Sequence, residues 1–128
     1  MSYTISRIIE NADFEAVDGR TRAALSEQGF GILTEIDVQA TMKKKLDADM
    51  APYRILGACN PQMAHKAIGL EPRIGTMLPC NVILRQVDEG VEVSAVDPEA
   101  SMSAIDNAEL KQVAGAVRDM LAKAVAAV

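Results

Sequence analysis

Two apolar runs, Asn81 to Val87 and Val91 to Val96, flank Asp88-Glu89-Gly90. No other feature constrains the fold as tightly. A short polar link ending in glycine joins adjacent antiparallel strands, so these runs predict a hairpin. The remaining chain alternates in period. Tyr3 to Ile9 is β-branched and predicts a first strand. Phe14, Val17, Thr21, Ala24, Leu25 and Gln28 recur at helical spacing, with Asn11 as the expected cap and Gly29 as the stop. Phe30 to Ile36 begins a second strand. Asp37 is placed to cap a short helix with Val38, Met42 and Leu46 inward and Lys43-Lys44-Lys45 in water.

Ala51-Pro52 interrupts the pattern before a third strand, Arg54 to Cys59, whose small apolar residues suit the sheet interior. Asn60-Pro61 is a strong helix start, asparagine at the cap and proline at the first helical position. That helix takes in Met63, Ala64, Ala67 and Ile68 and stops near Gly69. Pro72 and Gly75 mark a loop or broken helix through Leu78, and Asp97-Pro98 closes the fifth strand with a turn. Leu110, Val113, Ala114, Val117, Leu121, Ala124, Val125 and Val128 form the apolar stripe of a last helix. A hairpin embedded in strand–helix alternation predicts an α+β two-layer domain over residues 1–128: a mixed, mostly antiparallel sheet of about five strands with helices packed on one face.

Charge and composition exclude several function classes. The chain has 128 residues and a formal net charge of -5, and its basic residues are scattered. It offers neither the basic face that nucleic acid requires nor aromatics on which to stack bases. No apolar run is long enough to span a bilayer, and Arg7, Glu10 and Asp13 interrupt the N-terminal stretch where a signal peptide would be apolar. Cytoplasmic residence is the expectation, and there the thiols would stay reduced.

The candidate chemistry lies in two Cys-Asn pairs. Ala58-Cys59-Asn60-Pro61 and Leu78-Pro79-Cys80-Asn81 contain the only cysteines, and His65, the only histidine, falls between them. Cys59 ends a strand just before a helix start, a position that favours a thiolate, and Cys80 opens the next strand. Cys59, Asn60, His65, Cys80 and Asn81 are therefore the candidate ligand-binding residues, with a small molecule as the partner and neither a metal nor a cofactor assigned. A redox switch is a variant of this reading: a disulfide closing a loop of about 20 residues would add about 3 kcal/mol if unstrained. Three alternatives stay open. The cysteines could be inert packing residues, with Asn60 only a cap. Cys59, His65 and Cys80 could hold zinc, although their spacing matches no common zinc motif. Cys59, His65 and Asn81 could serve nucleophilic catalysis. Glu71 and Glu99, each beside a proline, read as solvated loop residues.

The stretch from Tyr53 to Val82 resembles the signature of domain of unknown function family 302. Tyr53-Arg54-Ile55-Leu56-Gly57-Ala58-Cys59-Asn60-Pro61, Ala64-His65, Ile74-Gly75 and Leu78-Pro79-Cys80-Asn81-Val82 carry the resemblance. Gly29-Phe30-Gly31, Thr34-Glu35-Ile36-Asp37-Val38 and Asp97-Pro98 extend it over most of the chain. It implies a small, stand-alone, two-layer α+β domain of bacteria and archaea with a tendency to form homodimers. It implies no reaction. The functional expectation is a small-molecule-binding or thiol-based sensor module, with an enzyme or an inert partner-binding subunit as the alternatives.

Overall fold

A computed structural model of the chain describes residues 2–128. Strand β1 (Thr4–Glu10) leads to α1 (Phe14–Glu27), β2 (Gly31–Asp37), α2 (Val38–Leu46) and β3 (Tyr53–Cys59). Helix α3 (Pro61–Leu70) runs into a short 3₁₀ turn (Pro72–Met77), then come β4 (Cys80–Val87), β5 (Gly90–Val96), the short α4 (Pro98–Ser101) and α5 (Ala108–Ala127). The expected hairpin is β4–β5, with Val87 paired to Gly90.

The five strands form one sheet in the order β1-β5-β4-β3-β2. Every pairing is antiparallel, so the parallel component expected of a mixed sheet is absent among the described residues. The reason is topological. Helices α1 and α3 each return the chain to a position where the next strand runs against its neighbour, and β1 pairs with the distant β5, Thr4 opposite Val96.

Period-2 alternation divides the sheet into a covered and an open face. Leu56, Ala58, Cys80, Val82, Leu84, Val91, Val93 and Ala95 are buried. They meet α1, α3 and α5, whose apolar stripes include Val17, Leu25, Ala67, Leu110, Val117 and Leu121. The opposite face carries Ile36, Ile55 and Ile83 in one cross-strand row, and Ile36 remains 46% exposed.

The caps follow the sequence with one correction. Asn60 accepts from the Met63 N–H at 3.3 Å, Asp37 from Ala40 at 2.9 Å, and Asn107 from Leu110 at 3.0 Å. Helix α1 is capped by Asp13, which accepts from Ala16, and not by Asn11. Asn11 instead takes a left-handed conformation, φ 53°, in the preceding turn. Gly29 ends α1 with φ 86°, a conformation glycine reaches without steric cost.

Helix α2 departs from expectation. None of its residues is buried, and Leu46 is 70% exposed. Nine residues that run straight on from an edge strand cannot reach the core that α1, α3 and α5 already fill. The Asp97-Pro98 step is also more than a turn: Asp97 accepts from the Glu99 N–H at 2.9 Å and starts α4. On the outermost strand β2, the register slips between Ile32 and Thr34, leaving Leu33 as a bulge.

Candidate functional site: a crevice at the ends of β3 and β4

Strand β3 ends, and β4 begins, at the same edge of the sheet. Ala58 lies directly across from Cys80, and Gly57 across from Asn81. Pro61 turns the chain at once into α3, which crosses over the strand ends. Between α3, α4, α5 and these strand ends lies a crevice of about 30 Å³. Cys59, Asn60, Cys80 and Pro79 form its sheet-side wall. Met63, Ala64, Ala67, Met102, Val113, Ala114 and Val117 form the helical wall, with Phe30, Leu78 and Pro98 completing it. The lining is almost wholly apolar.

Three of the five expected site residues come together here. Cys59, half-buried, and Cys80, buried, are both free thiols. Asn60 does double duty. Its carbonyl oxygen caps α3, and its amide N–H₂ donates to the Gln28 carbonyl at 3.4 Å and to Met120 Sδ at 3.7 Å. That side chain thus ties α1, α3 and α5 together behind the crevice.

His65 and Asn81 do not join them. Both are exposed, and neither lines the crevice. Helical phase decides the first: Met63, Ala64 and Ala67 share the inner face of α3, and the imidazole projects from the outer one. Strand alternation decides the second: Cys80 faces the helices, so Asn81, the next residue, faces outward. A zinc set of Cys59, His65 and Cys80, or a triad of Cys59, His65 and Asn81, is therefore not assembled. Among the described residues, no group of three or more His, Cys, Asp or Glu converges as a metal site.

The two thiols differ. Burial pushes the Cys80 thiol up to about 11, with a smaller contribution from the nearby Cys59. Cys80 is thus protonated and unreactive at neutral pH. Cys59 lies one residue beyond Ala58, the β3 partner of Cys80, and both cysteines border the crevice.

Sequence reasoning missed Met63, Met102, Val113 and Val117 as site residues, because apolar residues on helices read first as core. It also read Glu99 as a solvated loop residue; Glu99 is exposed, as expected, but lies on α4 and not in a loop. The signal was present: Asp97-Pro98 repeats the cap-then-proline start of Asn60-Pro61.

A second polar centre lies at the far end of β3 and is structural. Asp18, nearly buried on α1, accepts from Arg22 Nε at 2.7 Å and from Arg54 at 2.9 Å. Burial alone would raise the Asp18 carboxyl, but hydrogen bonds from Arg22 and Arg54 outweigh it and hold the carboxyl below its usual value. Arg54 also bridges to Glu15 at 2.9 Å and stacks over the Phe14 ring at 5.1 Å. These contacts fasten α1 to β3, about 17 Å along the strand from Cys59.

No helix is long and apolar enough to cross a membrane among the described residues. The fold closely matches a solved structure, described as an uncharacterized conserved DUF302 protein from Bacillus stearothermophilus. The TM-score is 0.91, with 22% identity over 98% of each chain. No curated protein matches the chain. The model of the family described as domain of unknown function DUF302 matches residues 5–128, and the chain belongs to that family.

Proposed function

We propose that this domain is a small-molecule sensor module whose site is the crevice at the ends of β3 and β4, with Cys59 as its accessible thiol. One observation carries the reading: Cys59, Asn60 and Cys80, from two strand ends and a helix start, converge on a single apolar crevice. At about 30 Å³ it admits only a few atoms as it stands. Met63 and Met102 line it, however, and methionine side chains turn and repack cheaply. Binding is therefore expected to open the crevice, and a ligand seated there would shield Cys59.

Catalysis is a weaker reading, because no carboxylate or imidazole lines the crevice to act as a base. Native-state alkylation tests the sensor reading. Cys59 should label rapidly in folded protein, Cys80 only after unfolding, and an apolar ligand should protect Cys59. If neither cysteine labels before unfolding, both are packing residues and the reading fails.

A homodimer would assemble on the open face of the sheet. The cross-strand row Ile36–Ile55–Ile83 lies on that face, with Ile36 exposed, and Arg85 and Glu92 flank it as an ion pair at 2.7 Å. A second copy related by a twofold axis would set each apolar row against its equivalent. Sedimentation of an Ile55→Lys variant tests this: a dimer that persists unchanged rules the face out.

A further inference from the structure

The crevice gathers most of its chemistry from sulfur. Both cysteines of the chain and two of its seven methionines, Met63 and Met102, line it. They come from opposite walls: Cys59 and Cys80 from the ends of β3 and β4, Met63 from the first turn of α3, and Met102 from the end of α4. Cys59 lies one residue beyond the cross-strand partner of Cys80, so the two cysteines share one corner of the sheet.

The lining side chains do not suit a hard cation. Among the described residues that line the crevice there is neither a carboxylate nor an imidazole. Asn60 is the one amide, and its oxygen already caps α3 by accepting from the Met63 N–H at 3.3 Å. Its N–H₂ group is a donor and repels cations. Thiolate and thioether sulfur, by contrast, are soft ligands suited to Cu(I). Zinc would lack the nitrogen, oxygen or further thiolate ligands that complete its usual sets. Size agrees, since about 30 Å³ holds a single ion without displacing a side chain. Charge agrees too. A monovalent cation on one thiolate is neutral overall, which an apolar lining accepts at far lower cost than a buried net charge.

We propose that the crevice binds one Cu(I) ion through the Cys59 thiolate and the Met63 and Met102 thioethers. Cys59 supplies the thiolate because it is half-buried and can pass a proton to solvent, whereas Cys80 is buried and stays a neutral thiol. The step is an exchange: the Cys59 S–H bond breaks, its proton goes to water and an S–Cu bond forms, with no change in oxidation state. This rests on the crevice reading above and names an occupant for the closed crevice; an organic ligand would need the opened form.

Anaerobic titration of the reduced protein with Cu(I), in competition with a chromogenic Cu(I) chelator, tests the proposal, and X-ray absorption identifies the ligands. The folded chain should take up one equivalent with a sulfur-only first shell. Cys59→Ser should weaken binding at least about 100-fold, and Met63→Leu or Met102→Leu about tenfold each, since a ligand costs no less than the groups that orient it. Exchanging methionine for leucine conserves volume and keeps the fold. Met77 is exposed and lies outside the crevice, so Met77→Leu should bind like the parent. Nitrogen or oxygen in the first shell, or an affinity unmoved by both crevice methionine variants, overturns the proposal. Absence of uptake also overturns it, and the crevice reading then stands if Cys59 labels in native protein and an apolar ligand protects it. No uptake with Cys59 unlabelled until unfolding overturns both.

Discussion

Replacing Gly57 with alanine puts a single methyl group where two neighbours already stand. Gly57 lies in β3, between the core residue Leu56 and the crevice residue Ala58, and its absent side chain would project from the open face. A Cβ there would meet the Thr34 hydroxyl of β2 and lie 2.8 Å from Pro79 Cγ. Thr34 is exposed and can rotate away. Pro79 is a rigid ring at the head of β4 and cannot. Overpacking of this kind costs about 1–3 kcal/mol. For 128 residues, an unfolding entropy near 2.1 cal/mol/K per residue converts that cost to a Tm loss of about 4–11 °C. Thermal and urea unfolding of Gly57→Ala should show this loss with the urea m-value unchanged. Adding Thr34→Ala removes one of the two contacts and should restore part of the stability, giving a coupling of at least about 0.5 kcal/mol. Strictly additive losses, or a single-variant cost below about 0.5 kcal/mol, would refute the steric account. Because Pro79 adjoins Cys80, the strain should also quicken Cys80 alkylation in the native state.

Further outcomes follow from other sites. In a Cys59→Ser chain, Cys80 keeps the burial that is the main cause of its raised thiol, so at pH 7 alkylation should run at least about tenfold slower than in urea and rise about tenfold per pH unit. Labelling at a comparable rate in both states contradicts this. Asp18 has a lowered carboxyl, so its stabilisation is complete above the unfolded carboxylate value of about 3.9 and is lost as pH falls through the lower folded value. Asp18→Asn should therefore cost about 1–3 kcal/mol at pH 7, with the deficit shrinking toward acid in urea titrations. Arg7 donates to the carbonyls of Ala126 at 2.8 Å and Val128 at 2.7 Å, closing the end of α5. Arg7→Met should cost about 1 kcal/mol and speed amide exchange in the last turn of α5.

How much was legible in the sequence depended on whether a local signal had a unique physical meaning. Asp88-Glu89-Gly90 and Asn60-Pro61 did, and both elements stand where expected. Asp97-Pro98 carried the same signal as Asn60-Pro61, but α4 has only four residues, too few for periodicity to separate it from a turn. The apolar residues of α2 were expected inward because periodicity reveals a stripe, not whether a core remains to receive it. For the candidate site, the convergence of Cys59, Asn60 and Cys80 was readable from their positions at element boundaries. Counting from Met63 and from Cys80 would have turned His65 and Asn81 away, yet that count needs a helix phase and a strand start that only the folded chain fixes. Met102 lay beyond reach, since it joins the crevice through tertiary packing alone.

The bulge at Leu33 bears on how the protein behaves in a crowded solution. Strand β2 is an outer strand, and a straight one would offer unpaired backbone groups to any extended peptide that drifted past. The slip between Ile32 and Thr34 breaks that row in the middle, and β2 ends at Asp37, whose carboxylate caps α2. A foreign strand could zip onto only a few residues before losing step, so this margin of the sheet resists templated aggregation despite the 67% exposure of Leu33.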